Sequence, residues 1–598
     1  MLDGILHQLG AWGAFGLMGS ILLGFSIFFT LYYSDRQDRE PFAMLVTVLA
    51  LTLCLTTVAL FPVDIFLVSR IMDPTTGLRY EWATDEAIAQ MQLSVKVIYT
   101  GAYSLIASFI FFWIPLSYFY FEELADEEQT LLQRLWASLR YTVFFMLVAA
   151  ILLLTGLFMK PDRHEDIDLD WLRKILADPD GSGALSFVAG VMALAGMGVL
   201  VFYAAPGLSL LPLHMLAGSS SIPARVSETH AQLAANRERQ NSILNRYRHR
   251  GDHSGSRNVS RLSDRDRQAI SELAQEEIIL ENRSINVQRV RDSCFHRYQC
   301  IIRPFQIILG LAGTILTALL VAAIIVTSID QMDNDFCGGP CGYIFSGKNL
   351  PNPLNILFLK LSPYFPIDYI LIVMIILYMF WATTKGIISI GIRILWVNLY
   401  SFRRATTQPQ GLLAATMLLM LSLAGLSYSL TMSVAPEYSM FGSQKYCNHT
   451  IPVVGRDCSD YPSLIIPCHI DAPAELCVLT VTSSNILKII LATPVLGRAF
   501  YSMQWIFVGT FLLALVINLI LGCRRGFEID PLDEGEEDLE ELETRGLLSG
   551  SYDSEDARRR ARRRGLITAA AAASGDAHSP IQGQRQGRGP AYGAVRQG

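Results

Sequence analysis

Apolar residues in this chain gather into runs of 18 or more, long enough to carry a helix across a bilayer. Nine runs can be marked, at roughly 9–33, 42–68, 95–121, 139–159, 184–208, 304–329, 367–384, 411–434 and 500–522. Lipid offers no partner to bare amides and carbonyls, so spanning segments must be helices or a closed barrel, and runs of this length are helical. The expected fold is therefore an all-α polytopic membrane protein with nine transmembrane helices. Composition agrees, since 51% of the 598 residues are hydrophobic and only 17% are charged.

Flanking charge sets the expected orientation. No Lys or Arg precedes the first run, whereas Arg36 and Arg39 follow it, which places the N-terminus in a lumen. A cleaved signal peptide is not expected, because it needs a basic leader and a shorter apolar core. Nine crossings then leave the C-terminus cytosolic, beside Arg524 and Arg525. Four regions follow: a first membrane half of five spans (1–208), a cytosolic Arg-rich helical loop (209–303), a second half of four spans with luminal disulfide-containing loops (304–522), and a disordered cytosolic tail (523–598).

Cysteine placement tests that orientation. Cys337, Cys341, Cys447, Cys458, Cys468 and Cys477 all fall in loops assigned to the lumen, an oxidising setting in which three disulfides are expected. Six cysteines allow fifteen pairings. Gly338, Gly339 and Pro340 suit a tight disulfide loop between Cys337 and Cys341 better than a metal site, and no metal is expected. Asn448-His-Thr450 is a glycosylation sequon in the same luminal region. The sequons at Asn258 and Asn282 fall on the cytosolic side and should stay unmodified.

The 209–303 loop reads as two helices, about 223–249 and 262–297, and carries fifteen Arg and no Lys. Leu273, Leu280 and Val287 recur every seven residues, a signal for a helical hairpin. Interspersed acids and the lack of aromatic interleaving argue against nucleic acid. Residues 386–402 are apolar enough to consider as a tenth crossing, but that would move the Asn448 sequon and four cysteines into the cytosol. They are expected instead to extend the seventh span or lie as an interfacial helix. In the tail, ten carboxylates between Glu528 and Glu543 precede six arginines within Arg558–Arg564. Glu543 with Leu547 and Leu548 fits the acidic-dileucine sorting pattern, and Tyr592 with Val595 fits the tyrosine-based one. Both imply clathrin-type adaptor complexes as partners.

No phosphate loop, His-Glu-x-x-His or Gly-x-Ser-x-Gly motif occurs, so an enzyme is not expected. Any transport would be passive, ion-coupled or powered by a partner. The residues that stand out are two acids in matching surroundings. Phe61-Pro-Val-Asp64 and Phe365-Pro-Ile-Asp368 each place a carboxylate two residues after a proline inside an apolar run. Asp368 is explained as an ordinary helix start, with proline and an acid in the first turn. Asp64 lies near the end of its run, where the helix dipole opposes it. Either Pro62 breaks the helix there, or Asp64 pairs with a cation such as Lys96 at the luminal start of the third run. Polar groups at broken helices in two halves point to a transport pathway, so Asp64, Lys96 and Asp368 are its candidates.

The blocks Leu60-Phe-Pro-Val-Asp-Ile-Phe-Leu-Val-Ser69, Phe111-Phe-Trp-Ile-Pro115, Tyr118-Phe-Tyr-Phe-Glu-Glu123 and Leu208-Ser-Leu-Leu-Pro-Leu213 occur in order along the chain. They are followed by Asn352-Pro-Leu-Asn355, the Phe365–Ile372 repeat, Gly391-Ile-Arg393 and Ala435-Pro-Glu-Tyr-Ser-Met-Phe-Gly-Ser-Gln444. Together they resemble the LIMR family of nine-span membrane proteins, and within it the lysosomal cobalamin-transporting branch. The resemblance implies a lysosomal or vacuolar membrane protein needed to export cobalamin, as cargo and not as a covalently bound cofactor, from lumen to cytosol. It also implies cooperation with an ABC-type half transporter. It assigns no ligand-binding residues. Two other functions stay open: a non-transporting escort for that partner, and an endocytic receptor or adaptor.

Overall fold

The structure is a computed structural model that describes residues 2–35, 39–123, 131–158, 183–217, 231–243, 273, 277, 299–333, 343, 350–364, 366–394, 397–400, 402, 407–448, 450–451, 455–456, 458, 462–469, 472–473 and 476–525. Among them, nine helices are long and apolar enough to cross a membrane: Gly16–Tyr33, Pro41–Ser69, Asp85–Glu122, Leu132–Gly156, Ala184–Leu216, Arg303–Asp333, Ile367–Ile390, Pro409–Val434 and Pro494–Ile520. They follow the expected runs in number and order and are called spans one to nine. The third begins at Asp85, earlier than its apolar run, because the Thr84 hydroxyl caps it by accepting from the Ala87 amide at 3.3 Å.

The eighth span is the central one, with 78% of its most apolar stretch buried, against 11% for the peripheral fourth. It packs against the second and fifth spans. Elsewhere glycine sets the spacing between helices. A methyl group on Gly207 of the fifth span would lie 1.8 Å from the Ala382 carbonyl oxygen of the seventh. One on Gly386 would lie 1.9 Å from the Tyr203 carbonyl oxygen in return. The two backbones touch there because neither side carries a Cβ, the usual device for packing helices in lipid.

Two expectations are corrected. The second helix runs unbroken from Pro41 to Ser69 with Pro62 inside it, so no half-helix starts at Asp64. Residues 386–402 are neither a simple extension of the seventh span nor an interfacial helix. The helix stops at Gly391, whose φ of +74° only glycine adopts readily, and Ile392–Ile394 pairs antiparallel with Val397–Tyr400. The break that does occur lies in the eighth span. Its last turn, Leu430–Val434, widens to π geometry, the backbone turns at Ala435, and a short helix Pro436–Phe441 follows to Gly442.

Beyond Gly442, Lys445–Cys447 pairs with Ile465–Pro467, and Thr450–Ile451 with Gly455–Arg456. Disulfides join Cys447 to Cys458 and Cys468 to Cys477, two of the pairs that the sequence left open. Cys337 and Cys341 lie outside the described residues, as do Glu543, Leu547, Leu548, Tyr592 and Val595. This cross-linked loop docks on the 70–84 loop, where the Cys447 amide donates to the Gly77 carbonyl at 3.1 Å.

The chain divides into two units, residues 1–222 with 292–528, and residues 223–291 with 529–598. In the second, residues 231–243 are helical. Arg237 pairs with Glu277 at 2.7 Å, and Gln240 donates to the Leu273 carbonyl at 3.0 Å. Those contacts bring together the two segments expected to form a hairpin.

Candidate functional site

Asp64 is 1% exposed, on the second span. A carboxylate buried near the end of a membrane helix is costly, about 2.5–3.5 kcal/mol being the lenient figure for one at the helix centre. Its compensation comes from a helix the apolar runs did not reveal, Val481–Ala492, in the loop before the ninth span. Thr480 caps that helix, its hydroxyl accepting from the Ser483 amide at 3.3 Å. The next two amides turn to Asp64. Val481 donates to Oδ1 at 3.3 Å, Thr482 donates to Oδ2 at 2.9 Å, and the Thr482 hydroxyl donates to Oδ2 at 2.9 Å. Hydrogen bonds to a charged acceptor contribute about 1.5–3 kcal/mol each, and the positive end of the dipole adds to them, so these contacts alone offset the burial cost. The sequence did contain a signal, a threonine three residues before a serine at a helix start, but nothing that tied it to Asp64.

Asp368, also 1% exposed, sits in the first turn of the seventh span, where the sequence placed it. The Tyr438 hydroxyl donates to its Oδ2 at 2.5 Å, while Oδ1 has no hydrogen-bond partner. Tyr438 belongs to the short helix Pro436–Phe441 and stacks on Phe358, centroids 4.6 Å apart. The same short helix reaches the other acid indirectly. Its Ser439 carbonyl accepts from the Thr480 hydroxyl at 2.8 Å, and its Met440 carbonyl accepts from the Thr480 amide at 2.9 Å. The two Pro-x-Asp copies thus flank one short helix, Asp368 directly and Asp64 through the cap of helix Val481–Ala492.

A cavity opens beside the Asp64 end. Its walls include Lys96, Tyr99 and Tyr103 of the third span, Ser186 of the fifth, Ser427 and Tyr428 of the eighth, Thr482 and Asn485, and Phe500 of the ninth. Its volume of about 60 Å³ has room for roughly four waters. Thr482 is shared: it lines the cavity and binds Asp64. Tyr99, on the same wall, is 2% exposed, and its hydroxyl lies beside Thr482. Of the three candidates, Lys96 lines the cavity, Asp64 stands one hydrogen bond behind its wall, and Asp368 is not among its walls. Among the described residues, no group of His, Cys, Asp or Glu is placed to hold a metal.

Residues 13–243 match the family model described as LMBR1-like membrane protein. A protein of Aspergillus oryzae is 32% identical over 567 residues, covering 90% of this chain and 94% of its own. The chain belongs to the LMBR1-like family. Other members of the LMBR1-like family extend the match: a Sclerotinia sclerotiorum protein is 34% identical over 90% of this chain and 92% of its own, and a Neurospora crassa protein 32% identical over 92% of each. All three are named probable lysosomal cobalamin transporter. No solved structure matches. The family resemblance carried by the Pro-x-Asp and other blocks is thereby borne out.

Proposed function

We propose that this protein sits in the lysosomal or vacuolar membrane and exports cobalamin from the lumen to the cytosol. Relatives of that name align along nine-tenths of the chain, spans and loops together. The observation that carries the reading is the turn at the end of the eighth span, with buried acids on either side of the short helix Pro436–Phe441 and a cavity, lined by Lys96, Tyr99 and Thr482 among apolar residues, beside one of them. The work is passage and not catalysis. Lysosomal orientation with a luminal N-terminus is supported by the two disulfides between Cys447 and Cys477, which need an oxidising compartment.

A second reading has its own support. Pockets that hold organic ligands measure about 300–1,000 Å³, far more than this cavity, so the structure is closed to a corrinoid. On that reading the chain escorts an ABC-type half transporter, and the ATP chemistry and the passage belong to the partner. Liposomes containing this protein alone, loaded with cobalamin and assayed for cobalt release, separate the two. Release without a partner supports the transporter; release only after an ABC partner is added assigns the escort role.

A further inference from the structure

We propose that Asp64 is a proton-binding site served by the neighbouring cavity, and that proton uptake loosens the start of helix Val481–Ala492. The inference builds on the transport reading by naming the coupling ion. It stands on three features of the geometry. The carboxylate is buried and held by donors alone, the Val481 and Thr482 amides and the Thr482 hydroxyl. One of those donors, Thr482, also lines the cavity and so links the carboxylate to that space. Tyr99, facing the same cavity, places a second buried hydroxyl beside Thr482.

The proton balance is simple. A hydronium in the cavity gives its proton to Oδ2 of Asp64, and the carboxylate becomes a neutral acid. The Thr482 hydroxyl, which had donated, rotates and accepts from the new O–H. The two amides then face a neutral oxygen in place of an anion, and the helix start loses its charge partner. Thr480 remains bonded to Ser439 and Met440, so the hinge is confined to the first turn.

Ionisable groups on the elements around Asp64 are few. Toward the Asp64 end the third span contributes Lys96, Tyr99 and Tyr103, the eighth Tyr428, the 481–492 helix Lys488, the short helix Glu437 and Tyr438, and the seventh span Asp368 and Tyr369. Lys96 lines the cavity, and Asp368 is held separately by Tyr438.

The test is hydrogen–deuterium exchange of the full-length protein in nanodiscs without cargo, from about pH 7 to about pH 4.5, across the range where carboxylates titrate. After correction for intrinsic rates, exchange at residues 481–482 should rise about tenfold in the wild type on acidification, the change expected when charge-assisted hydrogen bonds become neutral ones. Asp64→Asn should exchange at the higher level at both pH values. A purely structural staple predicts equal wild-type protection throughout, and that result overturns the proposal without needing any variant. So does an Asp64→Asn protein that keeps the wild-type profile or stays protected at both pH values. Because no cargo is present, failure of cobalamin release leaves this result standing, and the reverse also holds.

Discussion

Tyr438 closes on Asp368 at 2.5 Å and thereby ties the segment after the break in the eighth span to the first turn of the seventh. With the Asn355 side chain accepting from the Tyr438 amide at 3.4 Å, this one tyrosine anchors the short helix Pro436–Phe441 to the residues around Asp368.

Tyr438→Phe should therefore destabilise the protein by about 1–3 kcal/mol, since it strips a buried carboxylate of its donor. Adding Asp368→Asn should cost less than the sum of the single changes, because the charge left behind is then gone. Thermal unfolding in detergent of the two single variants and the double variant checks this. Strict additivity would show that the contact carries no energy.

Gly207→Ala should push the fifth and seventh spans apart, because its Cβ would fall 1.8 Å from the Ala382 carbonyl oxygen. Overpacking of this kind costs about 1–3 kcal/mol. Gly198→Ala, on the same helix and with nothing within 4 Å of its Cβ, is the matched control. Equal melting temperatures for the two variants would contradict the close approach.

Asn448 is exposed, next to the bridged Cys447, and free of the strand pairing that follows it. Glycosidase treatment should shift the wild-type protein on a gel and leave Asn448→Gln unmoved. A glycan at Asn258 instead would invert the orientation.

The 70–84 loop should resist acid. Asp73 accepts from the Thr75 hydroxyl at 2.6 Å and from the Thr75 amide at 2.9 Å, and these bonds hold its carboxyl below the usual carboxylate range. A carboxyl lowered in the folded state contributes stability above its unfolded value, about pH 3.9, and loses it only as pH falls through the lower folded one. Protease nicking within 73–79 should thus stay constant from neutrality to about pH 4.5, lysosomal acidity included. An increase that begins above that point would refute the turn's role.

Leu547→Ala with Leu548→Ala should divert the protein to the cell surface, read by surface biotinylation, if the tail supplies the adaptor signal. Unchanged lysosomal delivery would remove the clathrin-type adaptors from its partners.

The nine spans were legible because lipid demands long apolar runs, and such runs declare themselves. Helix Val481–Ala492 was not, since Thr482, Ser483, Ser484, Asn485 and Lys488 dilute its apolar residues over only 12 positions. The hairpin after Gly391 was within reach: a glycine, then β-branched residues alternating with Arg393 and Asn398, speak for strands. Its overall hydrophobicity masked that period. Asp64 was rightly singled out as an acid in need of compensation. Its partner was invisible because a backbone amide has no sequence signature, and this one lies 418 residues away.

That separation has a consequence in time. At about 5–20 residues per second, the stretch between Asp64 and Thr482 takes roughly 20 to 80 seconds to synthesise. Throughout that interval the second span is already made while the helix start that will receive its carboxylate does not yet exist. The newborn chain must wait with an unsettled charge in its second crossing until the last loop before the ninth span arrives, so a ribosome that stalls or stops short of that loop leaves every earlier span in place and the acid unmet.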